Sequence, residues 1–146
     1  MKDLNSSVNT DPIAEARRYE MNARETLRVN GKLNTETNRY DDPKYVRSAG
    51  HFLWSGVLIA LEAAFHVKSE KKKQKGKDSR VDIEDYVIAV NKRDKKLLGL
   101  VIDAYNITHL CMGYDGIQDR EVCKRGVQIV NAIIDRCEMM LPVAVA

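Results

Sequence analysis

Apolar residues recur at intervals of three and four through most of the chain, which is the spacing of a helix with one buried side. An aspartate precedes each apolar segment, and an aspartate at the N-cap accepts hydrogen bonds from the N–H groups of the first turn. These aspartates are Asp11, Asp42, Asp82, Asp94 and Asp119. The helices predicted from the pattern cover about 12–30, 43–68, 82–92, 95–112 and 120–141. Because no convincing strand occurs, the chain is predicted to be all-α, an up-down bundle of four long helices plus one short helix.

The same periodicity predicts which side of each helix is buried. In the first helix, Glu20 and Arg24 are expected to pair on the outward side, opposite a row of small and apolar residues. In the second helix, Gly56 costs about 1 kcal/mol relative to alanine, so we expect a close contact with a neighbouring helix there. The buried seam predicted for the fourth helix is Leu98, Val101, Ile102, Tyr105, His109 and Met112.

Composition agrees with one ordinary globular domain. The chain has 146 residues, of which 44% are hydrophobic and 31% are charged. We therefore predict a single domain over 1–146, with an ordered core from about 11 to 141. Three cysteines without paired spacing are expected to stay reduced, and the polar start lacks the apolar core of a signal peptide, so a cytoplasmic location is predicted.

The most apolar stretch, 49–67, approaches the length of a membrane span. It carries His51, Glu62 and His66, and charge at membrane depth is costly. We therefore expect this stretch to be the central helix of the bundle, apolar nearly all round, and we predict no membrane partner.

The segment 68–80 is strongly basic, with seven basic and two acidic residues. It contains no apolar residue to pack, so a flexible loop is predicted over 69–80. Such a cluster attracts phosphates, but it has no aromatic residue for base stacking. A solvated connector is therefore the alternative to a nucleic-acid site. The candidate nucleic-acid-binding residues are Lys71, Lys72, Lys73, Lys75 and Lys77.

His109 is the main candidate for chemistry. It falls on the predicted seam near a helix end, where burial favours the neutral ring and the helix C-terminus favours the charged ring. A histidine in this balance can act as an acid or base near pH 7. Tyr105, Asn106 and Tyr114 are close enough in sequence to assist it. The alternative is a structural histidine that hydrogen-bonds to another helix.

The sequence indicates neither a metal nor a cofactor. His51 and His66 are fifteen residues apart on one predicted helix, roughly 22 Å, so they cannot share an ion. The spacings typical of phosphate-binding loops, dinucleotide sites, nucleophile elbows and zinc proteases do not occur. Whether the protein is an enzyme is therefore uncertain, and a role without catalysis is favoured.

Two resemblances follow from longer motifs. The segments DDPKYVRSAGHFLWSGVLIALEAAF and VIDAYNITHLCMGYDG resemble a bacterial family of helical bundles of unknown function, over about 12–141. The order of helices resembles the HEPN superfamily, which implies a dimer and either metal-independent ribonuclease activity or RNA or nucleotide binding. The catalytic HEPN pattern places an arginine and a polar residue before a histidine. In YNITH, Asn106 and His109 match, but Tyr105 stands at the arginine position.

The function predicted on these grounds is a non-enzymatic cytoplasmic helical interaction module, a homodimer. Small residues and apolar surface around the second helix motivate the dimer. The alternative is a HEPN-like metal-independent ribonuclease or an RNA- or nucleotide-binding protein. In that alternative His109 is the acid–base, and the lysines of 68–80 offer a separate route to nucleic acid.

Overall fold

The computed structural model describes residues 11–67 and 81–142, and these form an all-α bundle. We number its α-helices α1 to α5 in chain order. They are α1 (Pro12–Asn30), α2 (Pro43–Phe65), α3 (Ile83–Arg93), α4 (Lys95–Ala104) and α5 (Arg120–Met140). A π-helical segment, Tyr105–Tyr114, continues α4 without a break, so the four predicted long helices and one short helix are all present. The second helix ends at Phe65, three residues before its predicted end.

All five predicted aspartate caps are confirmed. Each carboxylate accepts a hydrogen bond from a backbone N–H in the first turn of its helix. Asp94 does more than cap α4, because both of its oxygens also accept hydrogen bonds from Arg136 on α5, at 2.6 and 3.0 Å. This pairing lowers the pKa of Asp94. One side chain therefore joins the α3–α4 corner to α5.

The connection between α1 and α2 contains a small hairpin, which the sequence pattern did not predict. Strands β1 (Leu33–Asn34) and β2 (Arg39–Tyr40) pair antiparallel. Tyr40 N–H donates to the Gln118 carbonyl at 2.9 Å, and the Gln118 amide donates back to the Tyr40 carbonyl at 2.8 Å. The hairpin is therefore held against the loop that precedes α5.

Helix α2 lies at the centre of the bundle and packs against α1, α5 and the π-helical segment. The close contact expected at Gly56 is confirmed, since a Cβ there would lie 3.0 Å from the Ala16 carbonyl oxygen of α1. Among the described residues α2 alone is long and apolar enough to cross a membrane, and half of its apolar window is buried within the bundle. A central helix of a bundle has the same composition.

The predictions of the outward side of α1 and of the buried seam of the fourth helix were both wrong. Glu20 was placed on the outward side of α1, but only 3% of it is exposed. Its carboxylate binds Arg24 and also accepts a hydrogen bond of 3.2 Å from Asn131 of α5. A buried carboxylate needs such partners, and the second partner lies 111 residues away in sequence.

The buried seam of the fourth helix also differs from the prediction. It consists of Leu97, Val101, Ala104, Thr108 and Met112, whereas Ile102 is exposed and Leu98, Tyr105 and His109 are half-buried. The prediction assumed one regular α-helix over 95–112. The mismatch begins before the π-helical segment, because Leu97 rather than Leu98 is buried and Ile102 is exposed, so the predicted seam was one residue out of register already in the α-helical part.

Candidate functional site

The π-helical segment brings Tyr105, His109 and Tyr114 to one side of the helix. At 3.6 residues per turn, nine residues make two and a half turns, which would place Tyr114 opposite Tyr105. Hydrogen bonds from i to i+5 widen the turn to roughly 4.4 residues, so nine residues make about two turns. The wider turn therefore aligns these three side chains, and π-helical turns often occur at functional sites.

Trp54 and His51 of α2 complete this surface. The Trp54 ring lies 5.4 Å from the Tyr105 ring and 5.9 Å from the His109 ring, between centroids. The Tyr105 and His109 rings are 5.1 Å apart. The helical spacing puts Ile102 and Tyr114 on the same side as Tyr105 and His109, and His51 acts on His109 from α2. We name the surface of these five residues, with Trp54 buried beneath it, the π-segment face.

The environment of His109 favours its neutral form. Burial lowers the pKa of His109 below its usual value, and the charge of nearby His51 lowers this pKa further. Its Nδ1 atom is buried and has no hydrogen-bond partner among the described residues. A proton on Nδ1 would therefore be a buried donor without an acceptor, which is costly. The sequence left the balance between burial and the helix end open, and the net shift is downward.

Arg47 of α2 supplies a positive charge at the edge of this face. Its Nε donates to the Tyr114 carbonyl at 3.4 Å, and its guanidinium packs against Gly116. Gly116 has a φ of 65°, a left-handed conformation that suits glycine. A Cβ at Gly116 would also lie 3.0 Å from the Arg47 guanidinium, so the turn accommodates this arginine.

The predicted site residues have different outcomes. Tyr105 contacts His109 through its ring, as expected. Asn106 and Tyr114 are exposed, and in the described part of the chain no hydrogen bond joins either of them to His109. The candidate lysines Lys71, Lys72, Lys73, Lys75 and Lys77 lie outside the described residues.

Sequence reasoning missed His51 as a neighbour of His109, and it missed Arg47 as a neighbour of Tyr114. His51 follows Gly50 directly and Arg47 precedes it by three residues, and at Gly50 α2 approaches the backbone of the π-helical segment closely. A glycine inside an apolar helix was the available signal. Within residues 11–67 and 81–142, no group of three or more His, Cys, Asp or Glu side chains could hold a metal ion.

The fold is an all-α bundle, and its π-segment face carries aromatic rings beside a histidine. The family model for DUF5618, a domain of unknown function, matches residues 11–139. The chain belongs to the DUF5618 family. The prediction of a helical-bundle family of unknown function is thereby confirmed.

A solved structure, a protein of unknown function from Dyadobacter fermentans, is similar to this chain. The two are 37% identical with a TM-score of 0.76, over 90% of this chain and 96% of the other. No protein with a curated description matches the chain. None of these comparisons bears on the resemblance to the HEPN superfamily, which stays a prediction.

Proposed function

We propose that this chain is a non-enzymatic helical binding module that pairs with a second copy of itself through the π-segment face. The observation that carries the proposal is the exposure of large uncharged side chains on this face. Tyr114 is 79% exposed and Ile102 is 42% exposed, beside Tyr105 and the neutral ring of His109. Interface cores are enriched in aromatic residues and depleted of charge.

A second copy is the partner that fits this surface best. Two-fold pairing brings the same patch of each subunit together, so the patch must complement itself. A face made mainly of aromatic rings meets this condition, because rings pack against rings without needing an opposite charge on the partner. Tyrosine is also common among the residues that dominate binding energy at such contacts.

The oligomeric state measured by light scattering tests this proposal. We expect a dimer at tens of micromolar for the wild type, a weak but specific association. Tyr114→Asp places a charge at the centre of the proposed contact, so we expect a monomer. Met139→Asp is the matched control, because Met139 is 84% exposed and lies near the end of α5.

Each outcome of this comparison is decisive. A wild type that stays monomeric at tens of micromolar would overturn the proposal. A dimer that survives Tyr114→Asp but is lost in Met139→Asp would assign the contact to another surface.

RNA cleavage is the second candidate function, and the position of Arg47 favours it. In metal-independent cleavage the 2′-oxygen attacks the neighbouring phosphorus and the bond to the 5′-oxygen breaks. One group accepts the 2′-hydroxyl proton and another donates a proton to the leaving oxygen. His51 and His109 would fill these roles, and Arg47 would offset the phosphate charge.

Incubation with a mixed RNA pool in EDTA tests this second candidate. The ribonuclease hypothesis requires that the wild type cleaves RNA and that both His51→Ala and His109→Ala lose this cleavage. His66→Asn is the control, because His66 is an exposed helix cap with a φ of 50°, which asparagine tolerates. Absence of cleavage by the wild type would eliminate the ribonuclease and leave the binding module.

A further inference from the structure

A cavity of about 480 Å³ lies on another side of the molecule, between α1, the hairpin and α5. The C-terminal half of α1 forms one wall and the first turns of α5 form another. Leu33 and Tyr40 of the hairpin form a third wall. The hydrogen bonds between Tyr40 and Gln118 hold that wall in place. The volume falls within the range of small-molecule sites, about 300–1,000 Å³.

The interior of this cavity is apolar. Leu27, Leu33, Val127 and the ring of Tyr40 supply its large apolar side chains. Burial raises the pKa of Tyr40, so its hydroxyl stays protonated at neutral pH. An occupant that places an apolar body against these side chains gains the free energy of removing both surfaces from water.

The rim of the cavity is positively charged. Arg24, Arg28, Arg120 and Lys124 all line it, and no carboxylate does. Arg24 and Arg28 each pair with a glutamate of α1. Arg120 and Lys124 form no ion pair with any described residue. Two cations with no ion-pair partner among the described residues therefore border an apolar interior.

The thiol within this cavity does not act as a nucleophile. Burial raises the pKa of Cys123 to about 12, and the thiolate is the reactive form. Its sulfur lies 3.7 Å from the Ile117 carbonyl, to which it donates. Recognition here therefore rests on shape, apolar contact and charge, without covalent chemistry.

We propose that this cavity binds a small amphipathic anion. Its single carboxylate or phosphate head would contact Arg120 and Lys124 at the rim, and its acyl body would lie against Leu27, Leu33 and Val127. The cavity lies on walls that do not belong to the π-segment face, so this inference is independent of the proposed function.

Calorimetric titration of the full chain with three probes that have the same number of carbon atoms tests this inference. Decanoate and decyl phosphate carry an anionic head, and decanol is neutral. We expect both anions to bind at least tenfold tighter than decanol. Equal binding of decanol would overturn the role of the rim, and binding of neither anion would overturn the site.

Variants localise the effect. Arg120→Gln combined with Lys124→Gln removes the two cations, and we expect about tenfold weaker binding of decanoate with unchanged decanol binding, a loss of about 1.4 kcal/mol. The matched control is Lys95→Gln combined with Arg125→Gln, which removes two exposed cations that do not line the cavity. Equal loss in both double variants would mean nonspecific charge attraction and would overturn the proposal.

Two further probes distinguish the proposed ligand from other classes of ligand. Adenosine monophosphate carries a phosphate on a polar body, so tighter binding of this nucleotide than of decanoate would overturn the apolar part of the inference. Binding to phosphatidylglycerol vesicles without binding to dissolved decanoate would overturn a free amphiphile as the ligand.

Discussion

The two halves of one continuous helical run differ in what surrounds them. In the α-helical half, Lys95–Ala104, a Cβ added at Gly99 would meet no atom within 4 Å. In the π-helical half, Tyr105–Tyr114, the backbone lies against Gly50 of α2, and side chains of the segment lie against Gly126 of α5. Glycine faces open space in the α-helical half, whereas close packing requires glycine next to the π-helical half. The conformation of the α-helical half therefore follows local preference, and the conformation of the π-helical half depends on the helices packed against it.

Gly50→Ala tests this difference with the largest effect. A Cβ at Gly50 would lie 2.5 Å from the Gly113 nitrogen and from the Thr108 carbonyl oxygen, both backbone atoms that cannot rotate away. We expect a loss of about 3 kcal/mol in the free energy of unfolding, at the upper end for overpacking. Denaturant unfolding measures it. A loss below about 0.5 kcal/mol, the usual range for a surface substitution, would mean that the π-helical backbone is not held against α2.

Asp94→Ala tests the start of the α-helical half. The substitution removes the carboxylate that caps Leu97 N–H, which costs about 1 kcal/mol, and it also removes the partner of Arg136. Because the pKa of Asp94 is lowered in the folded state, its contribution is present above the ordinary carboxylate pKa and is lost as pH falls through the folded value. Unfolding at pH 7 and pH 3 measures both effects. A difference from wild type that is as large at pH 3 as at pH 7 would contradict the charge contribution.

Gly99→Ala is the matched control for Gly50→Ala. Nothing lies within 4 Å of the added methyl, and alanine is favoured over glycine inside a helix by up to about 1 kcal/mol. We therefore expect a small gain in the free energy of unfolding, of opposite sign to Gly50→Ala. A loss at both positions would mean that glycine serves the two halves in the same way.

The pH dependence of His109 gives the smallest expected effect. The lowered pKa means that the unfolded chain takes up a proton near pH 6.5 while the folded ring stays neutral. The unfolded state then binds more protons, so stability falls as pH falls below about 6.5 and through the folded pKa. We expect His109→Phe, which keeps a ring beside Trp54 and Tyr105, to remove this part of the slope. Unfolding between pH 8 and pH 5 measures it, and an unchanged slope would assign the dependence to another group.

Local signals predicted much of the fold. The five aspartate caps and the helix starts depend on contacts within three residues, such as Asp11 with Ile13 N–H at 3.0 Å. Such contacts need no knowledge of the rest of the chain. The start of the fourth helix was predicted on these grounds, whereas its continuation as a π-helix was not.

The candidate site was predicted only in part, because most of its contacts join residues from different segments of the chain. His109 and Tyr105 share one segment, so their spacing indicated their contact. His51, Trp54 and Arg47 reach that segment from α2, and periodicity within one helix carries no information about which residues of another helix face it. The YNITH motif lacks an arginine at Tyr105, and the arginine that does reach the π-helical segment, Arg47, comes from a different helix and contacts the Tyr114 carbonyl.

The sequence by itself determined the number of helices, their starts and the apolar character of α2, because these follow from capping, proline and hydrophobic spacing within one segment. Tertiary structure alone determined the burial of Glu20 beside Asn131, the π-helical turn and the contact of α2 with it at Gly50. Each of these requires two distant segments to meet. A buried polar group needs a hydrogen-bond partner, and a closely packed glycine position has no room for a larger side chain. Neither condition exists until the bundle has formed.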